Sequence, residues 1–109
     1  MYLKGKVHVY SVPVDMRKSY DSLSGLVYKS HDVLSGDVFL FISRDLKKAK
    51  ALYWDGTGLN IWMKRLSKGC FARIYERHEI SISELRLFFE GSKKVVEKLS
   101  PSTLENIRI

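Results

Sequence analysis

Two carboxylates, Asp15 and Asp55, are the pair that we consider for a divalent-metal site and hence for nuclease chemistry. Each also has a simpler structural role. Asp15 is placed to cap a helix, because a carboxylate can accept from the free N–H groups of a first helical turn, and Asp55 precedes Gly in a turn. A two-metal nuclease needs several convergent carboxylates, and the sequence indicates no such convergence. We therefore expect no catalytic residue.

Three histidines and one cysteine are the other groups that can bind a metal or attack a substrate. His8, His31 and His78 are far apart in the sequence and show no ligand spacing to one another or to Cys70. Cys70 alone does not indicate a nucleophile, and we expect a small residue within a strand. One cysteine also excludes an internal disulfide framework. We expect neither a metal site nor a cofactor.

Positive charge is the strongest functional signal in the chain. The formal net charge of +7 favours an anionic partner such as nucleic acid or an acidic protein surface. Nearly all of the excess falls between Arg44 and Arg73, where cations can neutralise phosphates and release counterions. The alternative is that these cations are solvated and discourage sheet edges from aggregating. The candidate nucleic-acid-binding residues of this segment are Arg44, Lys47, Lys48, Lys50, Trp62, Lys64, Arg65, Lys68 and Arg73.

A β-hairpin over residues 50–66 must position many of these candidates. Asp55-Gly56 stands between two aromatic-rich runs, and this is a hairpin signal because Gly tolerates the positive φ of the turn. With a loop of residues 55–58, the predicted cross-strand pairs are Trp54–Leu59, Tyr53–Asn60, Leu52–Ile61 and Ala51–Trp62. A three-residue loop would shift this pairing and could change which aromatic residues meet across the strands.

The two tryptophans of the hairpin fall on opposite faces in this register. We expect Trp54 in the core, together with Leu52, Leu59 and Ile61. The side of Trp62 stays open: an exposed Trp62 beside a lysine can stack on a base or anchor a protein partner. A sheet covered on both faces would make both tryptophans structural.

The remaining elements follow from local patterns. The sequence predicts a strand over residues 7–12, a helix from Asp15 to near residue 29 or 30, and a central strand over 38–42 that is apolar on both faces. It then predicts a last strand over 70–75 and a surface linker over 77–79. A second helix is predicted to begin at a Ser81–Glu84 capping box and to end at Gly91. The order and the short connections predict an α+β fold: a small antiparallel sheet of four to five strands with two helices packed on one face. We expect one domain over residues 5–91, followed by a weakly helical, partly frayed tail over 92–109.

Several short motifs occur in an order and spacing that resemble one protein family. They are PVDMRK at residues 13–18, SGDVFLF at 35–41, KALYWDGTG at 50–58, KRLSKGCF at 64–71 and SELRLFFEG at 83–91. Together they resemble the TnpB-type accessory protein of insertion sequence sixty-six, also called its Orf2 product, over roughly residues 7–91.

The resemblance implies an accessory role in a bacterial mobile element. Elements of this kind encode the small protein beside a separate, larger transposase that carries the catalytic site, and efficient transposition requires both. The resemblance also implies that Arg17 and Lys18 form a second cationic cluster. We therefore expect a non-catalytic factor whose partners are duplex DNA, with the element ends as candidate targets, and the transposase of the same element.

Two other functions stay open at this point. One is a protein-interaction adaptor whose cations contact an acidic surface of the transposase without contacting DNA. The other is a small metal-dependent nuclease built on Asp15 and Asp55. No apolar run approaches the roughly 20 residues that span a bilayer, and the first residues lack the apolar segment of a signal peptide. We expect a cytoplasmic protein with no membrane partner.

Overall fold

One mixed β-sheet organises the chain. The computed structural model describes residues 3–95. The elements are, in chain order, strand β1 (Val7–Val9), helix α1 (Tyr20–Tyr28), strands β2 (Val38–Ile42), β3 (Lys48–Trp54) and β4 (Leu59–Arg65), a turn of 3₁₀ helix (Tyr75–Arg77), strand β5 (Glu79–Ile80) and helix α2 (Ile82–Phe89). The strands form a five-stranded sheet in the order β4-β3-β2-β1-β5. The predicted α+β class is confirmed.

The hairpin of β3 and β4 has the register that its sequence predicts. The observed pairs include Trp54–Leu59, Tyr53–Asn60, Leu52–Ile61 and Ala51–Trp62. The loop closes because Asp55 Oδ1 accepts hydrogen bonds from the N–H groups of Thr57 (2.9 Å) and Gly58 (3.0 Å). These bonds, with that from Thr57 the strongest, hold the pKa of the Asp55 carboxyl well below its usual range. Gly56 has φ +103°, which residues with a Cβ rarely adopt.

The sheet is not antiparallel throughout, so that prediction is wrong at one pair of strands. β1 runs parallel to β2, with Val7 beside Val38 and Val9 beside Leu40. Parallel neighbours need a crossover connection, and α1 with its flanking loops supplies it. The prediction rested on the short connections of the later strands, whereas the β1–β2 connection is long. As a result, β1 and β2 finish at the same end of the sheet.

The two helices lie on opposite faces of the sheet, whereas we predicted both on one face. On the α1 face, Leu23 and Val27 pack with Phe39, Phe41 and Leu52. The α2 face contains Val7, Val9, Val38, Leu40, Ile42, Ala49, Ala51, Leu85, Phe88 and Phe89. Strand residues alternate between faces, so β2, which is buried at every position, supplies both clusters. The two-sided cover predicted for β2 is confirmed, and it is the reason that each face takes one helix.

Helix α1 begins at Tyr20, later than predicted, with Ser19 as its N-cap. The Asp15 carboxylate is engaged elsewhere: it accepts from the Arg17 N–H (2.9 Å) and from the Arg17 guanidinium (2.6 Å). This pairing and the bond from Lys18 N–H to the Asp15 carbonyl oxygen form a turn in place of a helix start. The predicted end of the helix is confirmed, since Lys29 is its C-cap.

Residues 70–75 form no strand, which corrects the predicted last strand. The segment crosses the α2 face with Phe71 and Tyr75 buried. The Phe71 N–H donates to the Leu46 carbonyl oxygen (2.6 Å), and the Tyr75 hydroxyl donates to the Ser43 carbonyl oxygen (2.9 Å). Its apolar side chains therefore reflect burial in the α2-face cluster, where Phe71 stacks on Phe88. Strand β5 forms instead at Glu79–Ile80, beginning at the last residue of the stretch predicted as a surface linker.

Helix α2 has both of its predicted end signals. The Ser81 hydroxyl accepts from the Glu84 N–H (3.1 Å), and Glu84 Oε1 accepts from the Ser81 N–H (2.9 Å), which is a capping box. Gly91, at φ +84°, ends the helix. Within the stretch predicted as a tail, Val95 is buried in the α2-face cluster. The rest of that stretch, residues 96–109, lies outside the described residues.

Candidate nucleic-acid interface

Cations from separate segments of the chain meet at one end of the sheet. β2 and β4 end there, β3 begins there, and the chain leaves β1 there. The Val14 N–H donates to the Ile42 carbonyl oxygen (3.0 Å), and this bond holds the 13–18 loop against the end of β2. We call this surface the basic end. Its cations are Arg17, Lys18, Arg44, Lys47, Lys48, Lys64, Arg65, Lys68 and Arg73.

Most of these cations reach solvent. Lys48 and Lys64 are half-buried, and the others are exposed. The side chain of Arg17 retains 91% of its exposure even though it pairs with Asp15. Exposed cations, including those in surface ion pairs, are available to an external anion, which buried cations are not.

A groove of roughly 750 Å³ runs between the 13–17 loop and the β2–β3 connection. Arg17, Arg44 and Lys48 line it, although the first of them is remote in sequence from the other two. Met63, which is 46% exposed, adds an apolar part to the lining. The fold therefore joins the cationic cluster of the 13–18 motif to that of the central segment.

A second groove, of roughly 590 Å³, adjoins the first, because Pro13 and Arg44 line both. Arg73 lies in its lining, and the Arg73 guanidinium carbon is 5.5 Å from the centroid of the Tyr75 ring. Burial raises the pKa of the Tyr75 hydroxyl, which donates its hydrogen bond inward to Ser43. The two grooves together form a channel that carries guanidinium groups at both ends and in the middle.

Carboxylates at the basic end are engaged within their own loops. Asp45 Oδ1 accepts from the Ser43 hydroxyl (2.6 Å) and from the Lys47 N–H (3.0 Å), and these bonds hold the pKa of Asp45 below its usual value. The bond from Arg17 does the same to the pKa of Asp15. These carboxylates are charged at neutral pH, and they shape the loops while reducing the local positive charge.

Two sequence candidates lie away from this surface. Lys50 is buried, and its ammonium donates to the Lys18 carbonyl oxygen (2.6 Å), so it ties the 13–18 loop to β3. Trp62 lies on the α2 face, where its ring stacks on Phe89 with 4.4 Å between centroids. Trp54, expected in the core, is half-buried and belongs to neither hydrophobic cluster of the described residues. We therefore leave Lys50 and Trp62 out of the interface.

The two carboxylates considered for metal chemistry lie at opposite ends of the sheet. Asp55 is in the β3–β4 loop, whereas Asp15 lies beside the end of β2. They cannot share a metal ion. Within residues 3–95, no three side chains of His, Cys, Asp or Glu are grouped in a way that could hold a metal ion.

A histidine-lined groove is a feature that the sequence did not predict. The rings of His8 and His31 lie 4.2 Å apart between centroids, and His8 Nε2 is 2.8 Å from Asp37 Oδ2. With Phe39 they line a groove of roughly 870 Å³. Burial raises the pKa of Asp37, but the hydrogen bonds from His8 and from the Lys6 N–H outweigh burial, and the pKa is lowered overall. The pairing of β1 with β2 sets His8 beside Phe39, and these residues are too far apart in the sequence to have shown a common site.

Comparison with known proteins decides the family. The family model described as "IS66 Orf2 like protein" matches residues 5–98. The chain belongs to this family. The resemblance found in the sequence motifs is confirmed, and the match includes every cation of the basic end.

A curated relative and a structural fact complete the comparison. The chain is similar to the uncharacterized protein y4jC of Sinorhizobium fredii, with 32% identity over 68 residues, which are 61% of this chain and 58% of the relative. The chain thus spans less than two thirds of that relative's length. No solved structure matches the chain. In the part that the structure describes, no helix combines the length and the apolar character needed to cross a membrane.

Proposed function

We propose that the protein is a non-catalytic accessory factor of transposition that binds duplex DNA through its basic end. The observation that carries the proposal is the meeting of cations from distant segments at one end of the sheet, along two adjoining grooves. The family supports the connection with an insertion sequence. The element ends and the transposase of the same element are the proposed partners, and the protein acts in the bacterial cytoplasm, where that DNA lies.

Electrostatics supplies the proposed affinity. Arginine offers a fork of donors that can hold a phosphate in a bidentate way, and Arg17, Arg44 and Arg73 are spread along the channel. Each phosphate that a cation neutralises releases counterions, so affinity should fall steeply with salt. Asp15 and Asp45 orient the loops that carry Arg17 and Arg44.

The test compares two double variants of equal net charge. Arg44→Ala with Lys48→Ala removes cations from the basic end, whereas Lys29→Ala with Arg86→Ala removes exposed cations from α1 and α2. Binding to a fluorescent duplex is measured by anisotropy across a salt series. We expect the first variant to bind more weakly and to lower the slope of log K against log salt by roughly 2, about 1 for each lost contact. The second variant should keep the wild-type slope.

Because the two double variants have equal net charge, comparing them separates the effect of where the cations lie from the effect of net charge. Equal losses in the two double variants would show that net charge alone drives binding and would sink the proposal. So would the failure of the wild type to bind either an element end or a random duplex at low salt. A transposase captured equally by the wild type and the basic-end variant, without nucleic acid, would instead favour the adaptor function.

Asp15 distinguishes binding from catalysis. Asp15→Asn removes a negative charge from the groove and weakens the hold on the Arg17 guanidinium, because a neutral amide replaces the carboxylate. If the groove binds phosphate, the variant should bind DNA at least as tightly as the wild type. If Asp15 served a metal-dependent nuclease, the same change would abolish nicking of a supercoiled plasmid incubated with Mg²⁺.

A further inference from the structure

Strand β4 is an open edge of the sheet. It pairs along its whole length with β3, from Lys48–Arg65 to Trp54–Leu59. In the sheet order of the described residues, β4 has no neighbour on its other side. The opposite edge is the two-residue strand β5, so β4 is by far the longer edge.

The main-chain groups that face this open edge follow from the ladder. The Asp55 N–H donates to the Gly58 carbonyl oxygen, and the Leu66 N–H donates to the Lys47 carbonyl oxygen. Hydrogen-bonded pairs alternate along an antiparallel ladder, so every second residue of β4 turns its N–H and C=O toward β3. The residues that turn theirs outward are Leu59, Ile61, Met63 and Arg65.

These outward groups lack most of the features that normally keep a strand edge from pairing with another strand. Among residues 3–95, no hydrogen bond given outside the sheet ladder involves the main chain of these four residues. The strand contains no proline, no glycine and no break in its pairing. Its charges, Lys64 and Arg65, stand only at its last two positions, and charged side chains are a common means of blocking edges. The first five residues carry no charge.

We propose that a second copy of this chain pairs with β4, antiparallel about a two-fold axis, to give a continuous sheet across both copies. With Trp62 opposite Trp62 of the second copy, Ile61 lies beside Met63 of the second copy and Asn60 beside its Lys64. Apolar residues then meet on the α1 face, and no two cations are opposed. The registers centred on Lys64 or Arg65 oppose like charges, which is unfavourable. The proposed pairing does not depend on the proposed DNA binding.

The pairing has a geometric consequence for the basic end. A two-fold axis normal to the sheet keeps the α1 faces on the same side and reverses the strand direction. The basic ends of the two copies therefore lie at opposite ends of the joined sheet, and Met63, which lines the first groove, also belongs to the paired edge.

Cross-linking tests the register directly. Asn60→Cys with Lys64→Cys, in a Cys70→Ser background, places two cysteines opposite each other across the axis at a pair without hydrogen bonds, where Cα atoms are about 4.5 Å apart. That separation suits a disulfide. Within one copy the two positions are about 13 Å apart along the strand and cannot bond. We expect oxidation to convert the double variant into a covalent dimer and to leave each single variant largely monomeric.

Sedimentation of the full chain over a range of concentrations gives a second readout that does not depend on these cysteines. We expect the wild type to self-associate and Met63→Lys to weaken the association at least tenfold, because it places a cation against Ile61 of the second copy. Leu34→Lys is the matched control, since Leu34 is similarly exposed (52% against 46%) but lies in a loop. A wild type that is monomeric at every concentration would overturn the proposal, whether the edge is open or is covered by residues 96–109 of the same chain. An association that Met63→Lys leaves unchanged would overturn it as well.

Discussion

The ion pair between Arg77 and Glu84 connects several parts of the fold. Arg77 Nη2 lies 2.8 Å from Glu84 Oε2, and the side chains retain only 22% and 10% of their exposure. Arg77 Nη1 also donates to the Val95 carbonyl oxygen (2.6 Å). Since Glu84 closes the capping box of α2, one guanidinium joins the 3₁₀ turn, the start of α2 and the chain beyond it. Arg77→Ala should therefore destabilise the whole domain.

The expected cost follows from the burial of this pair. Removing one member of a buried pair typically costs about 3–5 kcal/mol, because the other charge stays buried. Glu84 keeps its bond from the Ser81 N–H, so we expect about 2–4 kcal/mol for Arg77→Ala. At about 4–8 °C per kcal/mol for a domain of this size, the melting midpoint should fall by roughly 8–32 °C. Urea unfolding at neutral pH, followed by far-UV circular dichroism, measures the free energy directly.

The pair of Arg73 with Glu76 is the matched control, since it has the same chemistry at the surface. Its N–O distance is 2.9 Å, but the side chains are 64% and 68% exposed. Surface pairs contribute about 0–1 kcal/mol, so Arg73→Ala should cost less than about 1 kcal/mol. If both alanine variants lost the same free energy of unfolding, burial would not be the cause and the reasoning would fail. A double-mutant cycle of Arg77→Ala with Glu84→Gln should return a coupling above about 1 kcal/mol.

Three further variants probe the hairpin and the helix end. Trp62→Ala removes the stack on Phe89 and should cost about 2–4 kcal/mol in urea unfolding; a loss below about 1 kcal/mol would show that this ring is not part of the core. Asp55→Ala should lower stability at neutral pH. The folded-state pKa of Asp55 is depressed, so its contribution to the free energy of unfolding is present above the unfolded pKa of about 3.9 and is lost as the pH falls through the folded value. The difference in the free energy of unfolding between Asp55→Ala and the wild type should therefore narrow in acid. A difference that stays constant with pH would contradict this. Gly91→Ala, at φ +84°, should cost about 1 kcal/mol, whereas Gly58→Ala, where a Cβ meets no atom within 4 Å, should be nearly neutral in the same assay.

Features set by neighbouring residues were predictable from the sequence. The register of the β3–β4 hairpin depends on the Asp55-Gly56 turn, and the loop needs no distant contact to close. The ends of α2 are likewise local, since Ser81 and Glu84 satisfy each other and Gly91 ends the helix. In each case the residues that determine the geometry lie within a few positions of one another.

Features set by distant contacts were not predictable. Asp15 is a local exception, since it suits a helix cap as well as an ion pair with Arg17, and the sequence alone did not decide between them. Lys50 has the sequence context of an exposed lysine, yet the 13–18 loop covers it, and the Lys18 carbonyl oxygen accepts a hydrogen bond from its ammonium. The hairpin register placed Trp62 on one face of the sheet but did not show what packs against it, because the helix that carries Phe89 is remote in sequence.

The direction of β1 decides whether the basic end exists. The 13–18 loop follows β1, and Arg44 follows β2. Because the α1 crossover makes these strands parallel, both loops leave the sheet at the same end, where Val14 bonds to Ile42. Had β1 been antiparallel to β2, Arg17 would lie near the 55–58 loop, at the far end from Arg44. The sequence showed two cationic clusters but not that they lie together, and the direction predicted from it for β1 and β2 was wrong. The position of both clusters follows from the crossover, so Arg17→Ala should weaken DNA binding as strongly as Arg44→Ala in the same anisotropy titration.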